Sequence, residues 1–277
     1  MIERRECGMK RKIGIVDTTL RDGEQRPGLV LSPDEKIRLA LFLDQIGVAE
    51  IEAGCFDHAT EGENYIRKIM EERKNATISV WTRLDPDDIQ KAGLQKPDLI
   101  HIGVPISYSQ IYHKLGKNKK WVENRLIECI EIAKAYQISV TVGLEDVSRA
   151  NMSFVLHIIR KLEKLEVQTV RLADTVGILS PSRARDMVKE IRRNTDIQLE
   201  IHEHNDFGMA IANSSVMLYA GADLVDGTLF GIGERAGNCD LYQLVSCLSR
   251  KFDFGVTGSD LLAAEKLMRS ICAHEEV

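Results

Sequence analysis

Thr169-Val170-Arg171-Leu172, then Ser180-Pro181, then Gln198-Leu199-Glu200-Ile201-His202, then Gly221 ahead of Asp223-Leu224-Val225-Asp226-Gly227: this stretch decides the fold. Short apolar runs flank segments of helical length, each opened by a cap or closed by a glycine. That alternation marks parallel strands joined by crossover helices. Ser180-Pro181 supplies a capping residue and a proline at the first helical position, and Gly221 falls where a helix should stop.

The same unit repeats outward in both directions. Strands are expected at Ile13–Asp17, Ala49–Ala53, Thr77–Trp81, Leu99–Gly103, Ser139–Gly143, Thr169–Leu172, Gln198–His202 and Asp223–Gly227. Ser32-Pro33-Asp34-Glu35 opens the first helix, and Gly47 and Gly93 are read as helix stops. Eight units in about 250 residues match a (β/α)8 TIM barrel, with an open doubly wound sheet as the alternative. No linker or composition shift divides the chain, so one domain over 1–277 is expected, ending in a short helix at about 260–273. Ile211–Leu218 reads as core helix without a role.

Composition narrows the function classes. Lys+Arg number 37 against 42 Asp+Glu, a net charge of −5, with 44% hydrophobic and 29% charged residues. This balance gives no electrostatic footprint for nucleic acid, though a local basic patch for a phosphorylated cofactor stays open. No apolar run approaches the roughly 20 residues a bilayer requires, and Met1–Lys12 is charged, so no membrane partner and a cytoplasmic location are expected. Cys7, Cys55, Cys129, Cys239, Cys247 and Cys272 show no metal or redox spacing, and reduced thiols are expected.

In a barrel, chemistry belongs at the carboxyl ends of the strands. At the end of the seventh strand stands Glu200-Ile201-His202-Glu203-His204-Asn205-Asp206. Alternation turns Glu200, His202 and His204 to one face, and two imidazoles beside a carboxylate suit a divalent ion. After the first strand, Asp17-Thr18-Thr19-Leu20-Arg21-Asp22-Gly23-Glu24-Gln25 offers Asp22 as third ligand; its blander reading is a surface ion pair of Arg21 with Asp22. After the eighth, Gly231-Ile232-Gly233-Glu234-Arg235-Ala236-Gly237-Asn238 lets backbone approach a ligand while Asn238 offers an amide oxygen. His101 reads as a packed histidine.

These three motifs, in this order, resemble the DRE-TIM metallolyase (HMGL-like) family. It contains 2-isopropylmalate, homocitrate and citramalate synthases and 3-hydroxy-3-methylglutaryl-CoA lyase. Val142–Arg149, Ala173–Gly177 and Trp81-Thr82-Arg83-Leu84 look most like the homocitrate synthases of nitrogen-fixing bacteria. The resemblance implies a Claisen-type condensation of acetyl-CoA with a 2-oxo acid, best 2-oxoglutarate, followed by thioester hydrolysis. It implies a divalent cofactor, Mg²⁺, Mn²⁺, Co²⁺ or Zn²⁺, held by Asp22, His202 and His204 with Glu200 or Asn238 as a further ligand. Arg21 would stabilise charge on the ketone oxygen, with Glu52 orienting Arg21 or accepting from a substrate hydroxyl. Gln25 would orient the substrate, and Arg149 with Thr175 would take the far carboxylate.

Synthases of this group usually continue past the barrel through helices bearing a histidine and a tyrosine near the acetyl group. Here the sequence stops at Val277. The base is therefore expected from a second subunit of a homodimer, from a separate C-terminal-domain polypeptide, or from the barrel. The alternatives are 2-isopropylmalate, citramalate or citrate synthesis within the same family, a barrel active only with its partner, and lyase-type cleavage. Cleavage ranks lower because the last loop holds Glu234 and Arg235 where the lyase carries a cysteine, and Cys239 comes only after Asn238.

Overall fold

A computed structural model describes residues 10–56 and 64–272. Eight parallel strands pair in chain order: β1 (Gly14–Asp17), β2 (Glu50–Phe56), β3 (Thr77–Arg83), β4 (Leu99–Pro105), β5 (Ser139–Glu145), β6 (Thr169–Asp174), β7 (Gln198–Glu203) and β8 (Leu224–Gly227). The ring closes where β1 meets β8, with Gly14 opposite Leu224 and Asp17 opposite Gly227. Each strand thus has two neighbours, which makes the fold a TIM barrel and rules out the open sheet.

Helices α1 (Pro33–Ile46), α2 (Asn64–Glu72), α3 (Pro86–Gln95), α4 (Lys119–Ala135), α5 (Met152–Lys164), α6 (Pro181–Arg192), α7 (Ala210–Ala220) and α8 (Leu241–Leu248) surround the ring, and α9 (Gly258–Cys272) follows. Strand alternation divides the buried residues into two populations. Ile51, Ile78, Ile100, Val170, Leu172, Leu199, Ile201 and Val225 are fully buried in the apolar core. Their neighbours in sequence, Glu52, Ser79, His101, Arg171, Glu200 and Asp226, are equally buried but polar, and they fill the barrel interior.

Every expected strand is present, but six run further at the carboxyl end: β2 to Phe56, β3 to Arg83, β4 to Pro105, β5 to Glu145, β6 to Asp174 and β7 to Glu203. In β3, β5, β6 and β7 the added end carries a polar residue, Arg83, Glu145, Asp174 or Glu203, whereas in β2 and β4 the ladder runs on through Phe56 and Pro105. Ser32 forms a capping box with Glu35, and Gly47 ends α1 with φ of 96°. Ser180 occupies the N-cap of α6 with Pro181 behind it, yet its hydroxyl pairs with the Ser182 hydroxyl rather than with a backbone N–H of the first turn. Gly93 does not stop a helix: α3 continues to Gln95 and ends at Lys96, whose φ is 53°. A Cβ on Gly93 would lie 2.7 Å from the Tyr136 ring, so the glycine is there for close packing. The last helix starts at Gly258, earlier than expected; Ala273 and Cys7 lie outside the described residues.

Candidate metal centre and active site

The loop after β1 and the end of β7 meet at the carboxyl end of the barrel. Asp22, His202 and His204 each offer a ligand atom, all within 4.8 Å of one another. His202 Nε2 lies 3.3 Å from Asp22 Oδ2 and 3.1 Å from His204 Nε2. His202 Nδ1 lies 2.9 Å from Asp226 Oδ1, which fixes the ring so that Nε2 faces the cluster. All three residues are at most 5% exposed.

The electrostatics fit a cation. Burial alone would discourage ionisation of Asp22, but Arg21 and His202 outweigh it and hold the carboxyl well below its ordinary range. His202 is also penalised by burial, yet Asp226 and Asp22 raise it well above its ordinary value. Burial and the charge on His202 push His204 down to about 4, leaving it a neutral donor of a lone pair. The carboxylates of Asp226 and Asp22 thus favour positive charge at this position. A divalent ion with mixed oxygen and imidazole preference suits the donor set.

Asn238 packs against this cluster, in a bridge between its strand-like segment and His204. Its Nδ2 donates to Asp22 Oδ1 at 3.1 Å and to the Ile232 carbonyl at 2.9 Å, leaving the buried Oδ1 without a partner. Gly233 leaves room for it: a Cβ there would fall 2.2 Å from Asn238 Nδ2. Glu200 stands apart from the cluster. Two residues before His202 on the same face, it sits one layer deeper and receives Arg171 Nε on Oε1 at 2.7 Å. Alternation fixes the face of a side chain and leaves its depth open, so Glu200 shares the face of His202 but lies behind the cluster, bonded to Arg171.

Arg21 spans the centre and the layer beneath it. Its Nη1 donates to Asp22 Oδ2 at 2.9 Å, its Nε bonds to Glu52 Oε1, and its guanidinium lies over the Trp81 ring. Glu52 Oε2 pairs with Arg171 at 3.0 Å, and Asp226 Oδ2 with the same guanidinium at 3.2 Å. Glu52 is thus a buried partner shared by Arg21 and Arg171. Burial, partly offset by Arg171, pushes Glu200 up to about 8. Glu50, at the foot of this layer, is pushed up to about 7 by burial.

On the other side of the mouth, Thr175 Oγ1 donates to Glu145 Oε2 at 3.0 Å and accepts from the Asp146 N–H at 2.8 Å. Burial raises the Glu145 carboxyl. Arg149 grips buried Asp146 through Nε and Nη2, at 2.8 and 2.7 Å. Arg149 and Thr175 are therefore joined through Asp146, and the guanidinium already has a carboxylate. Gln25 lies exposed on the rim in the turn Gly23–Gln25. His101 is buried, with Nδ1 2.9 Å from Thr141 Oγ1; burial and Arg171 keep it neutral. A cavity of about 800 Å³ opens at the opposite end, between Glu50, Thr77, Thr141 and Gln198, away from this chemistry.

Sequence reading assigned no role to Arg171, Asp226, Glu145 or Asp146. The first two sit inside apolar runs and read as strand filler. The only signal for them was a charge at an inward position of the period-two pattern.

The HMGL-like family model matches residues 12–268. The chain belongs to the HMGL-like family. Homocitrate synthase subunit alpha of Clostridium pasteurianum is 42% identical over 236 residues, covering 85% of this chain and 88% of that protein. 2-Isopropylmalate synthase 2 of Caldanaerobacter subterraneus subsp. tengcongensis is 39% identical over 247 residues, covering 88% of this chain and 64% of that protein. Among solved structures, hydroxymethylglutaryl-CoA lyase from Pseudomonas aeruginosa superposes with a TM-score of 0.82 at 19% identity, covering 95% and 94% of the two chains, a likeness of fold. For this HMGL-like barrel, relatives named for different products stand at nearly equal identity, so overall similarity does not choose between them.

Proposed function

We propose that this HMGL-like chain condenses acetyl-CoA with a 2-oxo acid in a divalent-metal-dependent, Claisen-type reaction and then hydrolyses the thioester. The observation that carries the reading is the convergence of Asp22, His202 and His204 with Arg21 at their edge. A divalent ion held by these ligands would supply a Lewis acid for the oxo acid's carboxylate and ketone oxygens. In the reaction a proton leaves the acetyl methyl group, a carbon–carbon bond forms to the ketone carbon, and the ketone oxygen gains a proton. Water then adds to the thioester and the C–S bond breaks, releasing the thiol.

Arg21, fixed by Glu52, places a guanidinium where negative charge grows on the ketone oxygen. Glu145, whose carboxyl retains its proton above the ordinary range, is suited to carry a proton at the mouth. Within the class we favour 2-oxoglutarate giving homocitrate, supported by the Val142–Arg149 and Ala173–Gly177 motifs and by the relative from Clostridium pasteurianum. A second reading, an apolar oxo acid as in 2-isopropylmalate or citramalate synthesis, is favoured by the Asp146 carboxylate that already neutralises Arg149. We place the enzyme in the cytoplasm as a homodimer or with a separate C-terminal-domain polypeptide. No described helix is long and apolar enough to cross a membrane.

The test is thiol release from acetyl-CoA with 2-oxoglutarate, 2-oxoisovalerate, pyruvate or oxaloacetate, with and without a chelator. Turnover with 2-oxoglutarate that the chelator abolishes and Mn²⁺ restores is expected. Turnover with another oxo acid alone would move the substrate within the class, and thiol release from none of them would reject the condensation.

A further inference from the structure

The loop between β4 and α4 carries a surface that the metal centre does not explain. Its residues 108–120 include Tyr108, Tyr112 and His113, then Lys114, Lys117, Lys119 and Lys120, with no acid among them. The whole-chain charge of −5 conceals this local density of lysine. Tyr108 is 62% exposed and Tyr112 37% exposed, yet their rings stack with centroids 4.5 Å apart, and His113 meets Tyr108 edge-on at 5.5 Å. Aromatic rings held together in water bury little area against the core, so packing does not account for them. The backbone beneath them is a single π-helical turn over Ser109–Lys114, a distortion often found where side chains are presented for function.

The charges are also available. Lys120 lies 3.7 Å from Glu123, but among the described residues Lys114, Lys117 and Lys119 have no carboxylate partner. Lys119 and Tyr108 line a cavity of about 420 Å³ together with Arg149 and Asn151. A continuous chain of contacts ties this loop to the barrel mouth. Ser107 Oγ bonds to Asp146, the Asp146 N–H to Thr175 Oγ1, and the Thr175 carbonyl accepts from Arg235 in the glycine-rich loop.

We propose that the β4–α4 loop, with Tyr108 and Tyr112 as stacking faces and Lys114, Lys117 and Lys119 as charges, seats the 3′-phosphoadenosine diphosphate end of CoA. This inference rests on the acyl-CoA reading above. The adenine offers a flat π-face to the tyrosines, and the clustered phosphates match lysines without a carboxylate partner, of which Lys117 rests over the Trp121 ring and Lys119 over the Phe154 ring. From there the uncharged pantetheine arm leads the thioester inward past Asp146 and Thr175 to the side of the mouth that holds Glu145.

Two measurements on the full chain test it. By titration calorimetry, the Lys114→Glu/Lys117→Glu double variant and Tyr108→Ala should each bind CoA about tenfold more weakly than wild type. In thiol-release kinetics, KM for acetyl-CoA should rise by a similar factor with kcat little changed, while KM for acetyl-pantetheine, which lacks the nucleotide, does not rise. Wild-type CoA affinity in both variants, no CoA binding by wild type, or an equal rise in KM for both thioesters would overturn the proposal. CoA binding that the variants weaken, in a protein that turns over no oxo acid, would sustain the platform and reject the condensation. Turnover with variants indistinguishable from wild type would do the reverse.

Discussion

Arg21 and Arg171 share Glu52 between them, one guanidinium on each carboxylate oxygen, yet they stand in different surroundings. Arg21 reaches the mouth, where its side chain keeps 9% exposure, whereas Arg171 is shut in the interior with Glu200 and Asp226 as further partners. Substitution should separate their roles. Arg21→Lys retains a charge beside Glu52 but loses the planar fork, so kcat/KM should fall about a hundredfold or more while the urea midpoint stays near that of wild type. Arg171→Met strips buried Glu200 of its ion-pair partner and leaves Glu52 to Arg21 and Asp226 to His202, and should cost about 3–5 kcal/mol in urea unfolding. Equal loss of stability in both variants would contradict the division. Asp22, His202, His204 and Arg21 were legible because strand ends and loops rarely collect such residues without cause. Arg171 and Asp226 were not, because the partners that justify a buried charge lie on other strands, far away in sequence.

Helices and strands were legible to different degrees. The short apolar runs located all eight strands, but they undershot six carboxyl ends, four of which carry a polar residue, Arg83, Glu145, Asp174 or Glu203, past the apolar run. Glycine was the less reliable marker. Gly47 and Gly221 end helices with φ of 96° and 121°, while Gly93 lies inside α3 against a ring contributed by the residue that follows α4. A glycine inside a helix usually gains about 1 kcal/mol on replacement by alanine. Here the new Cβ would meet Tyr136 at 2.7 Å, and the sign should reverse. Gly93→Ala is therefore expected to lower the melting temperature in the wild-type background and to raise it in a Tyr136→Ala background. Stabilisation in both backgrounds would show that the ring moves aside freely.

Among the described residues the barrel buries more carboxyls than cations, and its stability should depend on pH and, with an ion at the proposed site, on the metal. Asp17, Glu50 and Glu200 are pushed up to about 7, 7 and 8 by burial, against roughly 4 in an unfolded chain. Their folded forms hold protons that the unfolded chain sheds, so their contribution is complete in acid and is lost as pH rises through about 7 to 8. His202, raised by Asp226 and Asp22 despite its burial, acts in the same direction: its proton stabilises below the ordinary histidine value, and that stabilisation disappears as pH climbs through the raised one. Asp22 and Asp226 act oppositely, because Arg21 and His202 hold them low despite burial, and their contribution is lost only as pH falls below the ordinary carboxylate range. Between pH 6 and 9 the first group titrates and the second does not, so the melting temperature of the chelator-treated protein should fall across that interval. A divalent ion at the proposed site would replace the proton on His202 and would need the imidazole neutral. Mn²⁺ should accordingly raise the melting temperature more at pH 8.5 than at pH 6, whereas Asp17→Asn should flatten the metal-free decline without removing the Mn²⁺ effect. Scanning calorimetry with and without chelator reads all three, and a metal-free melting temperature that climbs from pH 6 to 9 would mean that the interior carboxyls are not protonated as their burial requires.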